Sequence, residues 1–236
     1  MNRPDMALPL AQAETAITPQ SDPESKCLVA LGSSTGGTEA IRQVLEKMPA
    51  DSPAIVIAQH IPKEFSRSFA ERMDTMSAMT VHEAADGQTI EHGHVYIAPG
   101  GKHLEVRVRK SGECYCAITL EPPVNRHRPS VEVLFDSVTE RVNMKTIGVM
   151  LTGMGKDGSQ SMVRLSESGA MTIVQDEKTS VIWGMPGEAV KLGAADYVVP
   201  LPEIAQKIGE LVNMPNLKGV RPARSSSDRT GTGVSI

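Results

Sequence analysis

The residues best suited to chemistry are a serine, a histidine and an aspartate that each follow an apolar run. Ser34 lies in the turn GSSTGG at residues 32–37, where glycines at G-x-S-x-G spacing permit a sharp bend and a close approach of substrate. His60 follows the apolar run at residues 54–58, and Asp157 follows the run at residues 146–151. Histidine can take the proton of an attacking hydroxyl, and a carboxylate on its far ring nitrogen can fix its tautomer. The pattern is typical of a nucleophilic serine site.

Each of these residues also has a structural interpretation. Ser34 is placed to cap the following helix, and glycine turns before helices also bind phosphate on free N–H groups. His60 is equally placed to satisfy a backbone group in a loop. Asp157 is placed to cap the helix that begins at the next residue, and Asp176, just past another strand, is an alternative third member. Ser33 is the nearest competing hydroxyl, but it lies outside the G-x-S-x-G register.

The backbone N–H groups around two further residues are candidates for stabilising an oxyanion. Thr35 follows the candidate nucleophile, and Met154 lies in the glycine-rich segment after the third apolar run. A contact of this kind often contributes roughly 3 kcal/mol per donor to catalysis. We therefore expect Thr35 and Met154 to lie beside Ser34.

The elements that must position these residues alternate between strand and helix. Hydrophobic periodicity predicts strands at residues 27–31, 54–58, 80–82, 95–98, 146–151, 170–175 and 196–199, and helices at residues 37–48, 62–76, 130–142, 158–168, 186–192 and 202–212. This order predicts an α/β fold with a doubly wound, mainly parallel sheet in a Rossmann-like three-layer arrangement. Residues 103–109 and 114–120 alternate apolar and polar side chains around a turn, which predicts an inserted antiparallel β-hairpin.

The predicted fold gives the three candidate residues a common location. In open α/β sheets, ligands bind in the crevice beyond the carboxyl ends of the strands. Ser34, His60 and Asp157 each follow such an end, so we expect them to converge on one pocket. The order serine, histidine, aspartate differs from the order serine, acid, histidine of α/β-hydrolases, and it argues against that superfamily.

Length and composition indicate one globular domain with flexible ends. The chain has 236 residues, enough for a full core. We expect a catalytic domain at residues 27–212, a flexible N-terminal segment at residues 1–26 and a flexible C-terminal tail at residues 213–236, because both ends lack sustained periodicity. The formal net charge of −4 argues against a general nucleic-acid surface. With no long apolar stretch, we expect no direct membrane insertion and a cytoplasmic location.

Neither a metal nor a disulfide is expected. Four histidines recur in the middle of the chain, at positions 82, 92, 94 and 103, but no acidic or cysteine companion follows at a recognisable ligand spacing. Three cysteines are an odd count, and Cys114 and Cys116 alternate along one strand, so we expect reduced thiols packed in the fold.

We expect Trp183 to fill the core or a cleft wall.

Six motifs then indicate a family. They are residues 32–41 (GSSTGGTEAI), 59–62 (QHIP), 96–100 (YIAPG), 122–130 (PPVNRHRPS), 151–158 (LTGMGKDG) and 184–186 (GMP). In this order they resemble the catalytic domain of chemotaxis-specific protein-glutamate methylesterases over about residues 27–212. Six linked motifs are far more specific than one glycine turn.

The resemblance implies an activity and a set of roles. The family hydrolyses the γ-methyl ester of glutamate side chains on the cytoplasmic helices of chemoreceptors, releasing methanol without a cofactor, and related enzymes also deamidate receptor glutamines. By motif match, Ser34 is the nucleophile, His60 the base and Asp157 the orienting acid, with Thr35 and Met154 near the oxyanion. The implied partners are methylated chemoreceptor helices.

Arg126 and Arg128 are the candidates for substrate binding. Arginines of this kind commonly pair with carboxylates or backbone carbonyls, but the resemblance places them near the cleft. In this family a phosphorylatable receiver domain normally precedes the catalytic domain, and the residues before Cys27 are too few to form one. We therefore expect a stand-alone esterase, an enzyme controlled by a separate regulatory partner, or a fragment of a longer protein.

Two interpretations from other classes remain open. A nucleotide-binding module would use residues 32–37 as a phosphate cradle, although a Walker lysine and the full G-x-G-x-x-G spacing are missing. A catalytically silent adaptor would bind receptor helices without hydrolysing them. Residue order alone leaves the adaptor open, because it does not reveal the geometry of the triad.

Overall fold

The computed structural model describes residues 27–214 and shows a seven-stranded, entirely parallel sheet with helices on both faces. Its strands are β1 (Cys27–Ser33), β2 (Ala54–Gln59), β3 (Thr80–Glu83), β4 (His94–Ile97), β7 (Lys145–Met150), β8 (Met171–Gln175) and β9 (Tyr197–Val199). They lie in the order β3-β4-β2-β1-β7-β8-β9. The predicted α/β fold with a doubly wound sheet is confirmed.

Within residues 27–214, five α-helices lie between strands, and a short 3-10 turn and a sixth α-helix follow the last strand. They are α1 (Gly37–Leu45), α2 (Lys63–Met76), α3 (Val131–Arg141), α4 (Ser159–Glu167), α5 (Met185–Lys191) and α6 (Ile204–Asn213), with the 3-10 turn at Leu201–Glu203. No helix within residues 27–214 combines the length and the apolar character needed to cross a membrane. The segments predicted to be flexible lie outside the described residues, apart from residues 213 and 214.

The core has two layers, one on each face of the sheet. Every residue of β1 is buried, and its side chains alternate between the layers: Val29 and Leu31 join one, and Leu28 and Ala30 join the other. This burial on both faces explains why the central strands read as continuous apolar runs. The first layer contains side chains of α1, α2 and α6, and the second contains side chains of α3, α4 and α5.

The predicted hairpin is also present as a separate two-stranded antiparallel sheet. Strands β5 (His103–Val108) and β6 (Cys114–Thr119) pair with Val106 opposite Cys116. The N–H of Val106 donates a hydrogen bond to the Oγ of Ser137 on α3 at 2.9 Å. The hairpin therefore packs on α3, whose amino end reaches the candidate site.

The topological switch point lies between β1 and β7. On one side of β1 the chain adds β2, then the edge strand β3, and then β4 between them. The second half builds outward from β7 to β8 and β9 on the other side. The loops that follow β1, β2 and β7 therefore leave the sheet at neighbouring carboxyl ends. This is the position at which doubly wound sheets bind ligands.

Candidate active site

Ser34 lies in the tight turn between β1 and α1. Its N–H donates to the carbonyl of Thr152 at 3.0 Å, and the Oγ1 of Thr152 donates to the carbonyl of Thr35 at 3.0 Å. Gly36, the residue before α1, has a left-handed backbone with φ of 81°, which suits glycine. These contacts fasten the turn to the carboxyl end of β7 and leave Ser34 partly exposed.

Gln59, the last residue of β2, joins the turn to the neighbouring strand. Its Nε2 donates to the carbonyls of Ser34 and His60, both at 2.9 Å, and its Oε1 accepts a 2.6 Å hydrogen bond from the Oγ of Ser33. Ser33 is fully buried, and its hydroxyl is engaged by Gln59. Of the two adjacent serines, Ser34 is therefore the one whose hydroxyl meets a histidine.

Ser34, His60 and Asp157 form one chain of hydrogen bonds. The Nδ1 of His60 lies 3.0 Å from the Oγ of Ser34, and its Nε2 lies 2.8 Å from the Oδ2 of Asp157. An ionised carboxylate only accepts, so we assign the ring proton to Nε2, which leaves Nδ1 free to accept from the serine hydroxyl. The two ring nitrogens thus have the reverse of their roles in the chymotrypsin type of triad.

Asp157 is buried, with 2% of its surface exposed, and is surrounded by donors. Besides His60, its carboxylate accepts from the Nδ2 of Asn125 and the Oγ of Ser130, both at 2.8 Å, and from the N–H of Val131 at 2.7 Å. Burial alone would raise the pKa of Asp157, but the hydrogen bonds from these four residues outweigh it and hold the pKa below its usual value. Asp157 therefore remains an anion facing His60.

Asp157 also caps a helix, but not the one suggested by sequence. The helix that follows it, α4, begins after Gly158 without a side-chain cap. The carboxylate instead accepts from Val131, the first residue of α3. The amino end of a helix favours a negative charge, so α3 supports the ionised form of Asp157.

Two residues that sequence reasoning missed, Asn125 and His127, lie on the turn at residues 124–127. Val124 and His127 exchange backbone hydrogen bonds at 3.1 and 2.9 Å, and the two residues between them have left-handed backbones, with φ of 52° at Asn125 and 70° at Arg126. The turn brings Asn125 to Asp157 and stacks the ring of His127 on that of His60. The sequence signal for this turn is weak, since asparagine tolerates the left-handed region but the turn contains no glycine.

The candidate oxyanion groups lie on the two loops that meet at Ser34. Within residues 27–214, the backbone N–H groups of Thr35 and Met154 have no hydrogen-bond acceptor. The loop that carries Met154 approaches closely: a Cβ placed on Gly153 would lie 2.9 Å from the Cβ of Ser34 and 2.4 Å from the Sδ of Met185. Thr35, directly after Ser34, and Met154, directly after Gly153, therefore lie on the two segments that come together at Ser34.

Asp176, Arg126 and Arg128 lie outside the hydrogen-bonded chain of the three main site residues. Asp176 accepts hydrogen bonds from the N–H and the Oγ1 of Thr179 in its own loop. Arg128 donates to the carbonyls of residues 120 and 121. Arg126 is exposed on the turn, between the two residues that contact Asp157 and His60. Of the two arginines, Arg126 is the more exposed residue.

His82, His94 and His103 form structural hydrogen bonds. His82 and His94 share a hydrogen bond of 2.9 Å between ring nitrogens. His103 is buried, with its Nε2 3.1 Å from the carbonyl of Pro122 and its Nδ1 accepting from the N–H of Ser130 at 3.2 Å. His103 thereby anchors the segment that carries residues 124–127. No group of three or more potential ligands among the described side chains is arranged to hold a metal ion.

Trp183 lies in the segment before α5. Its Nε1 donates to the carbonyl of Gln175 at 3.0 Å, and its ring lies against Gly187. The residue is partly buried and forms part of the wall behind the loop that carries Met154, since Gly153 pairs with it in an isolated bridge.

Comparisons with known proteins identify a family and relatives of this chain. Residues 29–208 match the family model described as CheB methylesterase. A protein-glutamate methylesterase/protein-glutamine glutaminase of Hydrogenovibrio crunogenus is 56% identical over 202 residues, which cover 84% of this chain and 54% of the relative. A protein of the same name from Bordetella bronchiseptica is 54% identical over 185 residues, covering 78% and 53%. The chain spans about half the length of the curated relatives it matches.

A solved structure shows the same fold. The crystal structure of the Thermotoga maritima CheB methylesterase catalytic domain superposes with a TM-score of 0.75 at 39% sequence identity. The match covers 78% of this chain and 97% of that chain. Most of residues 27–214 therefore correspond to that domain.

Proposed function

The chain belongs to the CheB methylesterase family, and we propose that it is a serine hydrolase that removes γ-methyl esters from glutamate side chains of chemoreceptors. The observation that carries the proposal is the hydrogen-bonded chain from Ser34 through His60 to Asp157, at 3.0 and 2.8 Å. Its location at the switch point of the sheet supports the same conclusion. In this proposal residues 27–212 form the catalytic domain.

The first half of the proposed reaction forms an acyl-enzyme. The Oγ of Ser34 attacks the ester carbonyl while the Nδ1 of His60 takes its proton. Asp157 stays ionised and stabilises the imidazolium through Nε2. The N–H groups of Thr35 and Met154 stabilise the oxyanion of the tetrahedral intermediate. The intermediate then breaks its bond to the methoxy oxygen, which takes the proton from His60 and leaves as methanol.

The second half returns the enzyme to its starting state. Water gives a proton to the Nδ1 of His60 as its oxygen attacks the acyl carbonyl. The second tetrahedral intermediate breaks its bond to the Oγ of Ser34, which recovers the proton from His60. The products are a free glutamate carboxylate and the unmodified serine. Ester and water enter, and methanol, the carboxylate and the proton released by the new carboxylic acid leave.

We propose glutamine deamidation as a second activity of the same site, since the names of the relatives include protein-glutamine glutaminase. The acyl-enzyme is identical, and only the leaving group changes from methanol to ammonia. An amide leaves only when its nitrogen is protonated, and protonated His60 supplies that proton. Both activities therefore depend on the same three side chains.

The proposed partners are methylated cytoplasmic helices of chemoreceptors, which places the enzyme in the cytoplasm. Two exposed apolar side chains flank the serine turn: Met154 follows Gly153, and Val181 lies against Gly36. They offer apolar contact to the methylenes of a glutamyl side chain. The exposed guanidinium of Arg126 offers contact to acidic or carbonyl groups of the receptor. A separate regulatory partner remains part of the proposal.

The test is methanol release from methylated chemoreceptor helices, with circular dichroism confirming the fold of each variant. We expect release by the wild-type chain and none by Ser34→Ala. Ser33→Ala is the matched control, because its hydroxyl contacts Gln59 rather than His60, and it is expected to keep releasing methanol. Release by Ser34→Ala at the wild-type rate would contradict the nucleophile. No release by the wild type would favour an adaptor.

A further inference from the structure

The ring of His127 lies face to face on the ring of the proposed base. The centroids of the two imidazoles are 3.6 Å apart, and their planes differ by 9°. This separation is that of flat groups in van der Waals contact. The Cα of His127 is set by the turn at residues 124–127, whose backbone hydrogen bonds of 3.1 and 2.9 Å fix the approach of the ring.

The side chain of His127 makes its contact through the ring face. Within residues 27–214, neither of its ring nitrogens has a hydrogen-bond partner, in contrast to both nitrogens of His60. Burial and the proximity of His60 lower the pKa of His127, while Asp157 acts in the opposite direction with a smaller effect. The net direction favours a neutral ring against the face of His60.

The orientation of His60 needs support during the reaction. In the resting state two hydrogen bonds, to Ser34 and Asp157, hold the ring. During acylation the proton moves to Nδ1 and the serine oxygen becomes bonded to carbon, so the first contact reverses its direction and is given up as Nδ1 turns its proton toward the leaving group. Nδ1 must then deliver its proton to the leaving group, which lies on another side of the tetrahedral centre. A ring held only by Asp157 would be free to tilt at that stage.

We infer that His127 is a positioning residue that fixes the plane of the His60 ring by stacking, and that it acts through its flat face rather than through a ring nitrogen. The inference rests on the proposed function, because it names the base whose orientation matters. It adds a residue outside the triad on which the rate of acylation depends. A flat ring without nitrogen at position 127 should therefore preserve the rate of acylation, whereas a side chain without a ring should not.

The experiment compares His127→Phe with His127→Ala, using His92→Ala as the control for loss of an exposed histidine. His92 lies before β4, at the opposite end of the sheet from the site. The first readout is the rate at which a fluorophosphonate probe modifies Ser34, followed by intact mass, because this reaction needs no receptor. The second is kcat and KM for methanol release. The third is the NMR signal of the His60 Nε2 proton in its hydrogen bond to Asp157.

We expect His127→Ala to slow probe labelling and kcat by about 10- to 100-fold, as for a small misplacement of a reacting group, with KM little changed and the Nε2 proton signal broadened. His127→Phe should restore both rates to within about fivefold of wild type. Wild-type rates in His127→Ala would overturn the inference. So would a His127→Phe variant as slow as His127→Ala, or one with a raised KM, since either would indicate a role for a ring nitrogen.

Failure of the proposed function would look different. A wild-type chain that reacts with the probe but releases no methanol would contradict the proposed substrate. The labelling rates of the His127 variants would still test the stacking role. If His127→Ala failed to fold by circular dichroism, the labelling rate and KM of His127→Phe would decide between the two roles alone.

Discussion

The N–H of Val131 donates a 2.7 Å hydrogen bond to the Oδ2 of Asp157, so the acid of the triad also caps α3. The hydrogen bond connects residues 26 positions apart in sequence. Ser130, the residue before α3, donates to the other oxygen of the same carboxylate. The side chain of Asp157 therefore contacts both the amino end of α3 and the proposed base His60. We expect its charge to affect both the stability of the fold and the rate of the proposed reaction.

The first prediction concerns stability in acid. The pKa of Asp157 is lowered in the folded chain, so its ionised form stabilises the fold above its usual pKa of 3.8, and this contribution is lost as the pH falls through the lower folded value. We expect the free energy of unfolding to fall more between about pH 6 and about pH 3 in the wild type than in Asp157→Asn. Urea unfolding at both pH values measures this. An equal fall in the free energy of unfolding in the wild type and in Asp157→Asn would contradict the stabilising role of the ionised carboxylate.

The second prediction concerns the rate. Asp157→Asn keeps the shape of the side chain but presents an amide to donors, and it no longer fixes the proton of His60 on Nε2. We expect kcat for methanol release to fall by about 10³- to 10⁴-fold. Asp176→Asn is the matched control, because that carboxylate contacts Thr179 in its own loop. A larger loss in the control would transfer the role of the acid to Asp176.

The sheet and the three main site residues could be predicted because their signals are local. Apolar runs followed by Ser34, His60 and Asp157 indicate strand ends, and parallel strands bring such ends together. Some boundaries differed for a tertiary reason. The first strand extends past the predicted residue 31 to Ser33, because Gly32 and Ser33 continue the pairing with β2, and Gly32 leaves room for Val131.

The supporting residues could not be predicted because their contacts are distant and lack local signals. Val131, capped by Asp157, and Asn125, which donates to it, are far from that carboxylate in sequence. The left-handed backbones at Asn125 and Arg126 occur without glycine, which is the usual indicator of such a turn. The stack of His127 on His60 depends on that turn, so it followed from no sequence pattern.

The third prediction concerns the cysteines. Burial raises the pKa of Cys27 to about 11, although Lys145 acts in the opposite direction, and burial raises the pKa of Cys116 to about 12. The thiolate is the reactive form, so at about pH 8 the native chain should react with iodoacetamide at least about 100-fold more slowly at these positions than the chain unfolded in urea. Peptide mass spectrometry measures both rates. Equal rates would show that the two thiols are accessible.

The final prediction tests the close contact between the loop after β7 and the serine turn. Gly153 has no room for a side chain: an added Cβ would lie 2.4 Å from the Sδ of Met185, which is fully buried, and 2.9 Å from the Cβ of Ser34. Gly153→Ala should therefore move Ser34 and the N–H of Met154 apart. We expect kcat to fall by about 100-fold, with a loss of about 1–3 kcal/mol in the free energy of unfolding.

Gly209→Ala is the matched control for that substitution. Gly209 lies within α6, and an added Cβ would meet no atom within 4 Å. Alanine is favoured over glycine inside a helix, so this variant should gain about 0.5–1 kcal/mol in the free energy of unfolding and release methanol as the wild type does. Chemical denaturation and methanol release distinguish the two variants. Gly153→Ala with wild-type kcat would show that the loop can move without disturbing Ser34, and the oxyanion role given to Met154 would then lose its structural basis.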